Sequence, residues 1–301
     1  MMKKFLAVLL GVMMAVAVFT ACSSADSTSS DASGAETSAS SEASGETGSE
    51  ASASSEESAS QETSSAEGEV LKRIIDNGKL IMLTNAAFPP YEYLGDDGSP
   101  AGIDVDVAKA VADEIGVELE VVDMDFDGLI PALQSGKGDI VAAGMTVTDE
   151  RKESVDFSDT YADATQLIIV PAEGATVTSE DDLAGKIIGV QLGTTGDLWV
   201  TDNADAAEVK QYKNALEASM DLQSGRLDAV VIDKMPAENI VSSNDDLVLI
   251  EMESTDEQYA IAIEKDNQDL VDIVNAVIAR MIEDGSMEAT TATHVEASKI
   301  G

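Results

Sequence analysis

LQSGKGDIVAAG (Leu133–Gly144) and LQSGRLDAVVID (Leu222–Asp233) repeat one pattern. In each, a helical run ends in Gln-Ser-Gly, a basic residue and an aspartate follow, and an apolar strand pattern closes the stretch. The segment upstream is also duplicated: GKLIMLTN (Gly78–Asn85) is echoed by GKIIGVQL (Gly185–Leu192). Two matched pairs in the same order predict two similar α/β lobes.

Strand patterns fall at Lys79–Thr84, Val117–Asp123, Asp139–Ala143, Gln166–Val170, Lys186–Gln191, Leu227–Ile232 and Tyr259–Ile263. Helical periodicity covers Asp104–Ile115, Leu129–Gln134, Ala215–Gln223 and Gln268–Ile282. This alternation predicts parallel sheets covered by helices. The repeat aligns Gly144 with Asp233, each at the carboxyl end of its strand, where open α/β sheets bind ligands.

AAGMTVTDERKESVDFSDTY (Ala142–Tyr161) carries the densest chemistry. Small residues let backbone N–H groups approach a ligand, and the Arg151 fork matches a planar carboxylate. Thr148 and Asp149 have the character of a helix start just before it. Facing lobes would bring the Arg151 cation and the Asp233 anion into one cleft, the complement of an amino acid zwitterion. Two plainer readings stand beside this one. Arg151 could lie on the surface beside Asp149 and Glu150, and Asp233 could pair with Lys234. Phe126 suits a lobe core as well as a cleft wall, and Thr146 and Thr195 suit plain turns.

Outside the duplicated part the chain changes character. Lys3 and Lys4 precede an apolar run from Phe5 to Phe19, and FTAC ends at Cys22, the one cysteine. The run is too short for a good membrane span and reads as a secretory signal over 1–22. Its ending resembles the lipobox of bacterial lipoproteins, which implies acylation of Cys22 and attachment to a membrane, although Phe19 departs from the usual aliphatic residue. Residues 23–68 are almost entirely Ser, Ala, Glu, Thr and Gly, with no aromatic residue and no Lys or Arg. Such a segment buries too little apolar surface to offset its ordering entropy and is expected to be a disordered acidic linker.

The formal net charge of −41 argues against nucleic acid as a partner. His294, the one histidine, lies in a weakly patterned tail far from Cys22, leaving no Cys/His cluster for a metal and no Ser-His or Cys-His pair. No GxxxxGK[ST] loop is present. No cofactor, metal or catalytic residue is expected.

NAAFPPYEY (Asn85–Tyr93), GIDVDVAKAVADEIGVELE (Gly102–Glu120), FDGLIPALQSGKGDIVAAGMTVTDER (Phe126–Arg151), VDFSDTYADATQ (Val155–Gln166), GVQLGTTG (Gly189–Gly196) and VVIDKMPAE (Val230–Glu238) resemble, in this order, the family 3 solute-binding proteins of polar amino acid ABC transporters. The resemblance implies the type II periplasmic-binding-protein fold, with two α/β lobes joined by two hinge strands that close over the ligand. It places one lobe at 69–165 and 257–301 and the other at 166–256, with crossings near Thr165–Gln166 and Asp256–Tyr259.

Carried over by motif, Phe88 and Phe126 flank the ligand. Ala143 and Gly144 offer backbone groups, Thr146 its hydroxyl and N–H, and Arg151 its guanidinium to the α-carboxylate. Thr195 adds an N–H and Asp233 receives the α-ammonium. Several relatives place Asp at the position of Asn85. With a neutral Asn85 and Gln191, the resemblance implies a neutral or polar amino acid. The implied partner is an ABC permease, and the implied state is a monomer outside the cytoplasm. A dehydratase acting on cyclohexadienyl substrates, or a sensor domain, is the alternative use of this fold. Asp104 and Asp106 read as helix-start residues, favourable near the positive end of the dipole.

Overall fold

A computed structural model describes residues 68–253 and 257–299. The signal segment, Cys22 and the acidic linker lie outside the described residues. The first pass of the chain is α1 (Glu69–Asn77), β1 (Lys79–Thr84), the short strands β2 (Ala87–Phe88), β3 (Glu92–Leu94) and β4 (Pro100–Ala101), α2 (Ile103–Ile115), β5 (Glu118–Asp123), α3 (Leu129–Gln134), β6 (Ile140–Val141), α4 (Asp149–Ser154) and β7 (Val155–Phe157). β8 (Ala162–Ala164) then leads into β9 (Gln166–Pro171), β10 (Ile187–Gln191), α5 (Thr195–Asn203), β11 (Glu208–Tyr212), α6 (Ala215–Gln223), β12 (Ala229–Asp233), α7 (Lys234–Ser242) and β13 (Leu247–Glu251). β14 (Glu257–Tyr259) returns the chain to β15 (Ala262–Glu264), α8 (Gln268–Glu283) and α9 (Ser286–Ala297).

Two five-stranded sheets result, β5-β1-β6-β15-β7 and β11-β10-β12-β9-β13. The fold is α/β and two-lobed, as the repeat predicts. The sheets are mixed, which corrects the all-parallel expectation. β1 pairs in parallel with β5 and β6, whereas β15 runs antiparallel to β6 and β7. The second sheet copies this arrangement, with antiparallel β9 beside β12. In each lobe one strand enters from the opposite direction because the chain crosses between lobes at β8 and again at β14. Those two strands pair with each other.

The sequence repeat has a local cause. Asp139 accepts a 2.8 Å hydrogen bond from the Ile81 N–H, and Asp228 accepts one of 2.8 Å from the Ile187 N–H. Gly136 and Gly225 each close the preceding helix with a 2.9 Å bond, to the Leu133 and Leu222 carbonyls. Each Gln-Ser-Gly turn thus stops a helix, and each aspartate satisfies a backbone donor on the neighbouring parallel strand.

Burial follows strand position. Every residue of β12 (AVVID) is buried in the middle of its sheet, so its sequence is continuously apolar up to Asp233. Edge strand β5 alternates instead, and Glu120 on it pairs with Lys79 at 2.9 Å. One apolar cluster runs from Leu80, Val107, Val274 and Ile278 through Phe88, Tyr91 and Tyr259 to Ala218, Val230 and Ile232 of the second sheet. Fully burying each such aliphatic side chain contributes about 1.5–3 kcal/mol.

The expected strand Tyr259–Ile263 is divided into β14 and β15, because the chain leaves β8 there and joins β6 and β7. The expected strand Asp139–Ala143 pairs only at Ile140–Val141; beyond it the backbone turns toward α2 and Gly144 N–H bonds to Asp104 at 2.8 Å. The tail, unpatterned in sequence, forms α9, which packs on α2 and α8. His294 is buried there, its Nδ1 2.9 Å from the Tyr93 hydroxyl and its Nε2 3.0 Å from Asp106.

Candidate functional site

The carboxyl ends of β6 and β12 open on one tight cleft. It is lined by Asn85, Phe88, Glu92, Phe126, Gly144, Thr146, Arg151, Gln191, Thr194, Thr195 and Asp233. Ala143 alone among the residues expected from sequence is not in the lining. Its side chain packs with Leu83, Leu129 and Val155 in the core of the first lobe.

Arg151 is delivered by α4, whose N-cap Thr148 accepts a 3.1 Å bond from the Arg151 N–H. Its guanidinium lies over the Phe126 ring, 5.4 Å from the centroid. Nη1 donates to the Thr146 carbonyl at 2.7 Å, and Nη2 crosses the cleft to the Gly193 carbonyl at 3.0 Å. Burial lowers its pKa, against the pull of Asp233 and Glu257. The surface reading of Arg151 therefore does not hold: the side chain is partly buried and bridges the lobes.

Asp233 ends β12, buried, and accepts a 2.6 Å bond from the Tyr259 hydroxyl. Burial and then the negative charge of Glu257 push its pKa up to about 7, opposed by hydrogen bonds from Tyr259 and Gln166. Lys234 pairs with Glu238 at 3.9 Å instead, which removes the salt-bridge reading of Asp233.

The walls are aromatic and neutral. Phe88 sits with Tyr91 and Tyr259 at centroid separations of 6.1 and 6.5 Å, and Tyr91 meets Tyr259 edge-on at 4.9 Å. Gln191 Nε2 reaches across the cleft to Asn85 Oδ1 at 3.0 Å, and Asn85 Nδ2 donates to the Met124 carbonyl at 2.9 Å. Gln191 Oε1 is buried without a hydrogen-bond partner.

Four groups in or behind the site were not expected there from sequence. Thr194 caps α5 by accepting from the Asp197 N–H. Glu92 and Asp104 form a buried acidic pair: Glu92 lines the cavity, while Asp104 accepts from the Gly144 N–H at 2.8 Å and the Tyr161 hydroxyl at 2.7 Å. Burial first, then Asp104, raises Glu92 well above the usual carboxyl range, and burial raises Asp104 to about 6. Asp104 is thus more than a helix-start residue, and the Gly144 N–H is engaged by it. Glu257 accepts from the hydroxyls of Thr146 and Thr195 at 2.8 and 2.7 Å. An acidic residue inside the apolar FPPYEY was the one visible hint of Glu92; nothing in its local sequence marks Glu257.

A cation on α4, just beyond β6, and a carboxyl group at the end of β12 thus face one small cavity from two duplicated lobes. The model of the bacterial extracellular solute-binding proteins, family 3, matches residues 80–297. The chain belongs to this family. Relatives agree with that placement over most of its length. The arginine-binding extracellular protein ArtP of Bacillus subtilis (strain 168) is 39% identical over 215 residues, covering 70% of this chain and 83% of that protein. The L-cystine-binding protein TcyJ of Escherichia coli (strain K12) is 32% identical over 228 residues, covering 75% of this chain and 86% of that protein. An ancestral arginine-binding protein solved with bound glutamine superposes with a TM-score of 0.68 at 43% identity, covering 71% of this chain and 96% of that one.

Proposed function

We propose that this family 3 protein is an extracytoplasmic receptor that binds an amino acid in the cavity and delivers it to an ABC importer. The observation that carries the reading is the placement of Arg151 and Asp233 in one lining, one from each lobe. Arg151 takes the α-carboxylate through charge-assisted hydrogen bonds, and Asp233 takes the α-ammonium. Phe88 and Phe126 enclose the apolar part of the ligand. Thr195 opens α5, where first-turn N–H groups lack intrahelical partners and suit an anion.

The lobes are taken as 69–165 with 257–301 and 166–256, with β8 and β14 as the hinge. Ligand contacts from both sides stabilise the closed arrangement. Attachment through Cys22 and an acidic stalk would keep the receptor near its permease.

For the side chain, a polar ligand that donates a hydrogen bond fits best. Gln191 Oε1 is a buried acceptor in the lining, and Asn85 and Gln191 bring no charge. A neutral amide meets that need. Arginine, named for ArtP, is the rival reading. Calorimetric titration of the purified protein with the common amino acids tests both. Binding of one or a few polar amino acids is expected, and it should weaken sharply in Arg151→Ala. No binding to any of them would remove the transport reading, and turnover of prephenate or arogenate would favour the dehydratase.

A further inference from the structure

Glu257 stands at the start of the strand returning to the first lobe, behind two residues that line the cavity. Its Oε2 accepts the Thr146 hydroxyl at 2.8 Å and the Thr195 hydroxyl at 2.7 Å. Its Oε1 accepts the Gln166 side-chain amide at 3.2 Å, and the same amide reaches the Thr195 hydroxyl oxygen at 3.4 Å. One carboxylate therefore gathers a hydroxyl from each sheet's side of the cleft.

A threonine hydroxyl has one proton and two lone pairs. A carboxylate only accepts, so each of these hydroxyls must give its proton to Glu257. What remains to face the cavity is a lone pair. We propose that Glu257 is a positioning residue that fixes Thr146 and Thr195 as acceptors toward the bound molecule. Both hydroxyls then meet a hydrogen-bond donor, and a ligand carboxylate is left to Arg151 and backbone N–H groups.

The count matches an α-ammonium group. It has three N–H donors, and Asp233, Thr146 and Thr195 offer three acceptors in one lining. Glu257 thereby makes the cleft discriminate for the amino group itself, independently of the side chain. This assignment differs from the family resemblance, which directs the Thr146 hydroxyl at the carboxylate. The inference rests on the amino acid reading of the cavity.

The test compares the best-binding amino acid with its deaminated analogue, the same acid carrying hydrogen in place of the α-amino group. In Glu257→Gln the amide oxygen stays on the Gln166 side-chain donor, so the NH2 takes the place of Oε2 and donates to both hydroxyls, turning their protons into the cleft. The preference for the amino acid over the analogue is expected to fall by about tenfold or more. Thr146→Val and Thr195→Val are expected to lower it likewise, and they decide the matter if Glu257→Gln does not fold. An unchanged preference in Glu257→Gln, or valine variants that weaken the analogue as much as the amino acid, would overturn the assignment. Failure of the unaltered protein to bind any amino acid would overturn the receptor reading and this role together. Binding with the preference intact in Glu257→Gln overturns the role alone.

Discussion

Tyr259 donates a 2.6 Å hydrogen bond to Asp233, and both side chains are buried. The tyrosine ends the strand that returns to the first lobe, and the aspartate ends the central strand of the second sheet. The bond ties the anion of the cleft to the crossing between lobes. It also opposes, without cancelling, the burial that raises Asp233 to about 7.

That raised value has a consequence for stability. An unfolded aspartate titrates near 3.9, so the folded state holds the proton to higher pH. Its contribution is full below the unfolded value and is lost as pH rises through about 7. Asp104, raised to about 6, and Glu92 act with the same sign. Ligand-free protein is expected to melt higher near pH 5 than near pH 8, and Asp233→Asn is expected to flatten the slope. Thermal melts across that range check it; equal slopes in both proteins would refute the assignment.

Ligand affinity is expected to run the other way. An ammonium prefers the ionised Asp233, so binding should tighten as pH rises through about 7 and release a proton below it. Calorimetry in buffers of different ionisation enthalpy measures the released proton directly.

Arg151→Ala is expected to weaken ligand binding by at least about thirtyfold, since truncating one partner of a buried charge pair costs about 2 kcal/mol or more. Arg151→Lys should restore little, because an ammonium cannot reproduce the planar fork that now spans Thr146 and Gly193. The comparison is of dissociation constants for the two variants.

Gly144→Ala tests the close packing at the end of β6. Gly144 has φ +50°, and a Cβ there would lie 2.7 Å from Phe88 Cε1. Moving the ring and straining the backbone should cost about 1–3 kcal/mol and disturb the aromatic wall. Chemical denaturation and ligand titration of the same variant report the two effects.

Asn85→Asp would place a carboxylate beside Gln191 at the neutral end of the cavity. Selectivity is expected to move toward a cationic side chain by about tenfold. The ratio of the arginine and glutamine dissociation constants, before and after the substitution, is the measurement.

Several features could be read from residues alone. LQSG-x-x-D was legible because its job is local: a helix stop, then an aspartate that caps the adjoining strand. Arg151 was legible because small residues and helix-start chemistry surround it within a few positions. The continuous apolar run before Asp233 identified a central strand ending in a charge.

Other features depend on residues far apart in the chain. Glu257 reaches Thr146 across a separation of 111 residues and Thr195 across 62. Glu92 meets Asp104 only after the β2–β4 turn folds onto α2. His294 makes its bonds to Tyr93 and Asp106 because α9 docks there, and no periodicity in the tail foretold it.

By itself, then, the sequence determined two duplicated α/β units and set an anion at one strand end and a cation a short way beyond the corresponding strand, because backbone propensity, turn chemistry and apolar periodicity act over short spans. Only the tertiary structure decided which hydroxyl protons Glu257 takes, how far burial raises Asp233, and that Ala143 belongs to the core. Hydrogen-bond direction and desolvation depend on every group brought near in space, and chain order does not record that.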